Sequence, residues 1–169
     1  MPGRRHALAL SGGALLALAG CGFQLRQAPE FAFKSIQLAL PPNSALGAEL
    51  RRQLEGTGRV TVVTDPARQG AAEVVLDSAG EQRERAVVAL TAAGEVREFQ
   101  LRLRFAFRLR TPAGRELLPR TEIVRQMDQS YSESAALSKE QEALMLYQNM
   151  QVDMVQQVMR RLAAVRAPQ

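Results

Sequence analysis

Reactive side chains are scarce in this chain, and where they stand limits the chemistry available. The single histidine is His6 and the single cysteine is Cys21, both near the amino terminus. All but Lys34 and Lys139 of the 22 basic residues are arginine. A chain whose only imidazole lies in its first few residues lacks the commonest general base and the commonest zinc ligand elsewhere. Neither lysine sits in a Ser-x-x-Lys pattern, and no spacing of carboxylates marks an acid–base pair. Catalysis and metal binding are therefore not expected. The abundant functional group is the guanidinium, a planar fork that binds carboxylate or phosphate through two parallel hydrogen bonds.

Cys21 has a specific setting. Arg4 and Arg5 precede an apolar stretch from Ala7 to Ala19, and Leu18-Ala19-Gly20 places small residues directly before the thiol. This is the pattern of a secretory signal peptide. The stretch is shorter than the roughly 20 residues that a membrane-crossing helix needs. Leu-Ala-Gly-Cys resembles the bacterial lipobox, so residues 1–20 read as a signal peptide and Cys21 as the lipidated first residue of the mature chain. Each buried methylene contributes about 0.8 kcal/mol to such an anchor, and several chains together make it effectively permanent. Gly22, not Asp, follows the cysteine, which in the sorting rule of that motif favours the outer membrane. Removing residues 1–20 lowers the net charge from +5 to +3 and leaves about 150 residues, enough for one core without disulfides. A periplasm-facing chain with this charge meets anionic lipid rather than nucleic acid.

The elements that position the arginines follow from periodicity. Residues 21–33 read as anchor and linker, and 34–166 as a single domain. Ile36–Leu40 reads as a strand stopped by Pro41-Pro42. A helix capped by Asn43 or Ser44 then places Leu46, Leu50 and Leu54 on one face and ends at Gly56 and Gly58. Val60–Thr64 reads as a second strand, and Ala72–Leu90 as a longer one broken by Gly80 and a charged run, in the manner of a bulge or bend.

From Arg97 to Arg110 the alternation is strict. Phe99, Leu101, Leu103, Phe105, Phe107 and Leu109 take the odd positions, while Arg102, Arg104, Arg108 and Arg110 stand among the even ones. Such a strand runs about 45 Å and is expected to project past its neighbours. Thr121–Met127 should return antiparallel to it after the turn at Pro112–Gly114.

The period then becomes helical from Leu137 to Val165, with Ser138 and Gln141 spaced as a capping box and Met150, Met154, Val158 and Leu162 on one face. The expected fold is α+β, a two-layer sandwich with two helices on one face of a four- or five-stranded, mostly antiparallel sheet. The even-numbered arginines should line the uncovered face. Residues 97–125 hold eight Arg against Glu98, Glu116 and Glu122, whereas residues 128–153 hold five acids against Lys139. The two stretches can pair with each other or with a partner.

The anchor run Cys21–Arg26, the turn and strand start at Gly94–Phe99, Gly114-Arg115-Glu116 with Leu118-Pro119, and Leu137-Ser138-Lys139-Glu140 together resemble the LptE family of lipopolysaccharide-assembly lipoproteins. Met150, Asp153, Gln156 and Arg161-Leu162 continue the likeness. Gln24 stands where family members often have histidine, and the extended tail of some members is missing. The resemblance implies a lipoprotein that plugs the LptD β-barrel, assists its assembly and contacts lipopolysaccharide, with no cofactor beyond the lipid on Cys21. With that ligand, the guanidinium forks of Arg97, Arg102, Arg104, Arg108 and Arg110 could bind its phosphates, and Lys139, which matches the family motif, could add a point charge; the arginines could instead form the solvated side of the sheet or pair with acids on the barrel wall. A free-standing, periplasm-facing lipoprotein that binds an anionic ligand is the alternative.

Overall fold

The computed structural model describes residues 29–64 and 70–166. The signal peptide and Cys21 lie outside the described residues. Strand β1 (Ser35–Ala39) leads through Pro41-Pro42 to helix α1 (Ala45–Gly56) and then to the short strand β2 (Thr61–Val63). Three long strands follow: β3 (Val74–Leu90), β4 (Val96–Arg110) and β5 (Glu116–Ser130). A 3-10 turn over Glu133–Ala135 enters helix α2 (Ala136–Ala163). The sheet order is β2-β1-β3-β4-β5, with β1 parallel to both β2 and β3 and the long strands forming an antiparallel meander. The α+β expectation holds, with two helices and five strands among the described residues.

Alternation in β4 decides which side of the sheet is covered. Leu101, Leu103, Phe105, Phe107 and Leu109 are all at most 1% exposed and face the helices. Against them pack Leu46, Leu50 and Leu54 of α1 and the Met150, Met154, Val158 and Leu162 stripe of α2. Burying each such side chain contributes about 1.5–3 kcal/mol. Phe33 is also buried and Phe31 packs beside it, so the folded unit begins inside the stretch read as linker.

Three expectations need correction. β4 does not project past its neighbours, because β3 and β5 pair with it along nearly its whole length; the three strands together extend past the short β1 and β2. The return strand is longer than Thr121–Met127, because an outermost strand tolerates the missing amide of Pro119. Ser138 does not cap α2: its Oγ donates to Ala135 O, and the helix begins two residues earlier without a side-chain cap.

The break in β3 does fall at Gly80. Its φ of +92° belongs to the left-handed region, and the register with β4 shifts between Ser78 and Glu81. Ser78 Oγ donates to Ala106 O (2.8 Å) across the bulge. The bulge also aims Glu81 at the start of α1. Its carboxylate accepts from Ser44 Oγ (2.6 Å), Ala45 N (2.9 Å) and Leu46 N (3.2 Å), while Ser44 Oγ accepts from Gly47 N (2.9 Å). Burial acts to raise the Glu81 pKa, and these bonds outweigh it, so the group ionises below its ordinary value.

Candidate functional site

The uncovered face of the sheet carries four of the six expected residues. Their spacing is set by the pleat of β4, and their partners by the register of β3. Glu84 stands opposite Arg102 and Asp77 opposite Arg108. Arg102 donates to Glu84 (3.4 Å) and to Gln100 Oε1 (2.9 Å). Arg104 Nε, shielded from solvent, lies 3.1 Å from Glu84 Oε1 without the alignment of a hydrogen bond. Its Nη1 is 3.8 Å from Glu122 on β5. Arg110 grips Asp77 with Nε (2.7 Å) and Nη2 (3.2 Å), and Arg108 adds Nε at 2.9 Å.

Two carboxylates thus hold four guanidinium groups. The hydrogen bond from Arg110 holds the Asp77 carboxyl below its ordinary value, opposed by burial and helped by Arg108. Asp77 raises Arg110 in turn. The face is therefore a mixed-charge surface, less basic than the arginine count suggests. Free capacity remains at particular atoms. Arg108 is the most exposed of the four at 53%, and neither of its Nη atoms is hydrogen-bonded among the described residues. Ala106, the one small residue among the even positions, separates Arg104 from Arg108 by about 13 Å along the strand.

The other two expected residues lie elsewhere. Arg97 is exposed at a register irregularity, where Glu98 pairs with Ala89 and Val96 with Leu90, away from the arginine cluster. Lys139 is on α2, across the sheet, and donates to Glu142 (2.8 Å) and Ser130 Oγ (3.1 Å). The acidic stretch does not neutralise β4 as a block. Glu140 pairs with Arg85 of β3, Glu142 with Lys139, and Asp128 accepts from Gln100.

Sequence reasoning missed Asp77 and Glu84 because they depend on the register of β3 against β4, which shifts at the Gly80 bulge, and Glu122 because it depends on the register of β5 against β4. It also missed the aromatic contacts beneath α2. The Arg85 guanidinium lies 3.8 Å from the Phe99 ring centroid, Arg83 lies 5.2 Å from that of Tyr147, and Tyr147 Oη donates to Glu84 O (2.6 Å). Burial raises the Tyr147 pKa, so the hydroxyl stays a donor.

The model of the family described as "LptE: Lipopolysaccharide-assembly" matches residues 33–162, which span β1 through α2. The chain belongs to the LptE family. It is 32% identical over 167 residues to the LPS-assembly lipoprotein LptE of Yersinia enterocolitica, covering 96% of this chain and 78% of that one. Lipoprotein B of Nitrosomonas europaea, solved in solution, has the same fold with a TM-score of 0.70 and 32% identity, over 85% of this chain and 91% of that one. Rare lipoprotein B of Shewanella oneidensis matches in fold alone, with a TM-score of 0.65 and 21% identity, over 78% and 95% of the two chains. Membership in the LptE family gives the chain a role in lipopolysaccharide assembly. No helix among the described residues is long and apolar enough to cross a membrane.

Proposed function

We propose that this LptE-family chain is an outer-membrane lipoprotein, anchored through lipid on Cys21, that plugs the lumen of the LptD β-barrel, supports its assembly and contacts lipopolysaccharide, without covalent chemistry of its own. The observation that carries the reading is the one-sided sheet. One face is sealed by α1 and α2, while the other presents Arg102, Arg104, Arg108 and Arg110 among Asp77, Glu84, Glu122, Gln100 and Gln126. A mixed-charge face suits the polar interior wall of an outer-membrane barrel. Reach agrees as well: the 17 residues of β3 extend about 55 Å, against an apolar barrel band about 25 Å tall.

Lipopolysaccharide phosphates are the fitting ligands for Arg104 and Arg108, whose outer guanidinium nitrogens keep unpaired donors on either side of Ala106. Arg102 and Arg110 support them by holding Glu84 and Asp77. Binding of this kind weakens as salt rises. Two experiments test the reading. Depleting the lipoprotein should leave LptD without its compact, heat-modifiable form in unheated gels; folded barrel at normal levels contradicts the plug. An Arg104→Ala/Arg108→Ala double variant should weaken lipopolysaccharide binding several-fold at low salt and little at high salt. Unchanged binding would assign these arginines to the barrel wall.

A further inference from the structure

The distal half of β3 has an uncovered edge. β1 pairs with β3 only through Val74–Asp77, after which the β1 chain turns away at Pro41-Pro42, with Pro41 seated against Gly80. Beyond that point β3 is paired on one side only, with β4, among the described residues. Two hydrogen bonds give the direction of the main-chain groups. Tyr131 N donates to Arg97 O, so the odd residues of β4 turn toward β5; Ser78 Oγ donates to Ala106 O, so the even residues turn toward β3. Gln82, Glu84 and Ala86 therefore satisfy β4, and the amides and carbonyls of Arg83, Arg85 and Val87 point outward from the sheet.

A helix overhangs the same edge. Leu137, Glu140, Leu144, Tyr147 and Gln151 follow a heptad spacing and form one stripe of α2. Glu140 and Tyr147 hold this stripe against β3, and Gln151 Nε2 donates to Ala45 O (3.1 Å) at the first residue of α1. The stripe N-terminal to Gln151 therefore lies past the cover that α1 provides. Leu137 is 79% exposed, Leu144 50% and Met145 58%, and on the strand Val87 is 49%, Val88 50% and Leu90 58% exposed. Val87 on the helix side of the strand and Leu137 and Leu144 of the stripe thus bring exposed apolar side chains to this edge. Exposed apolar surface of this kind marks an interaction site.

We propose that the β3 edge from Arg83 to Leu90, roofed by Leu137 and Leu144 of α2, receives an extended segment of a partner polypeptide as an added strand in line with β1. A lipid or an apolar helix would cover the side chains but leave the outward amides of Arg83, Arg85 and Val87 without partners. A strand satisfies both, taking affinity from the main chain and selectivity from alternate side chains. Continuity with the β1·β3 ladder fixes where it lies. Charge adds one preference: Arg83 stacks on Tyr147 but has no carboxylate within 4 Å among the described residues, so the guest carries an acidic side chain opposite it. The occupant is thus one extended protein segment with apolar side chains toward Leu137 and Leu144 and an acidic one opposite Arg83.

The test uses the full-length lipoprotein in its own cell, with a photoreactive benzoylphenylalanine at Val87, at Leu144 or, as control, at Val124. The expected result is adducts from Val87 and Leu144 that map within one stretch of about ten residues in one partner protein, and no adduct from Val124 to that stretch. Leu144→Asp should cut the yield at Val87 at least fivefold. Hydrogen exchange of the solubilised lipoprotein complex should show the Arg83, Arg85 and Val87 amides slowed at least tenfold relative to the lipoprotein purified alone. Adducts to lipid only, to a second copy of this chain or to scattered sites overturn the proposal. So does a yield indifferent to Leu144→Asp, or exchange unchanged at these amides.

Discussion

Replacing Glu81 with glutamine should destabilise the fold by removing a charge from the start of α1, a helix 36 residues away in sequence. The carboxylate accepts three hydrogen bonds, from Ser44 Oγ and from the amides of Ala45 and Leu46. Those amides are among the four that α1 cannot satisfy internally. A hydrogen bond to a charged group contributes about 1.5–3 kcal/mol, and this site is partly open to water, which replaces some of that. Glutamine keeps one acceptor oxygen and the side-chain length. The expected loss is about 1–2 kcal/mol for Glu81→Gln and about 2–3 for Glu81→Ala, the latter lowering Tm by roughly 7–10 °C for a domain of this size. Urea unfolding measures the loss directly.

The pH dependence carries a sign. The folded pKa of Glu81 is depressed, so its contribution is fully present above the unfolded value of 4.5 and is lost as pH falls through the folded value. Wild type and Glu81→Gln should differ at pH 7 and converge only as pH falls from 4.5 through the lower folded value. In a double-mutant cycle with Ser44→Ala, the two changes should couple by about 1 kcal/mol, since they share a bond. A loss under about 0.5 kcal/mol, a difference that persists at low pH, or strict additivity would show that Glu81 does not cap α1.

Gly80→Ala should cost about 1–3 kcal/mol in the same assay, because φ is +92° and a Cβ would meet Pro41 at 3.3 Å; Gly94→Ala, with positive φ but open space, should cost less. Phe105→Ala should cost about 3–5 kcal/mol by thermal unfolding, since the ring is fully buried between the sheet and α2. Asp77→Asn should release Arg108 and Arg110 and raise affinity for lipopolysaccharide several-fold at low salt, measured by titration, while lowering stability by about 1 kcal/mol. That stability difference should shrink as pH falls below 3.8, because the folded Asp77 pKa is depressed chiefly by Arg110.

Local signals in the sequence translated well into elements. Ser44 announced the cap of α1, the odd positions of β4 its buried face, Gly80 the bulge, and the methionine stripe the seat of α2. What stayed hidden depends on distance along the chain. Glu81 caps a helix that precedes it by dozens of residues, and Asp77 and Glu84 meet the arginines only through a bulged register. Pro119 reads as an interruption until β5 is known to be outermost, and Ser138 matched a capping box in a helix that starts before it. The arginine face was legible as a stripe of charge. Its neutralisation was not, because the neutralising acids belong to another strand. The uncovered edge of β3 was equally hidden, since it follows from how short β1 is beside its neighbour.

We propose above that the chain is anchored by lipid and works as a wedge inside a barrel. Purifying the full-length chain from outer membranes in mild detergent, and weighing the complex, tests it most directly. One copy of the lipoprotein bound to one copy of LptD, with acyl chains on Cys21, is the expected result. A lipoprotein that migrates alone, or one whose Cys21 thiol carries no lipid, would contradict it.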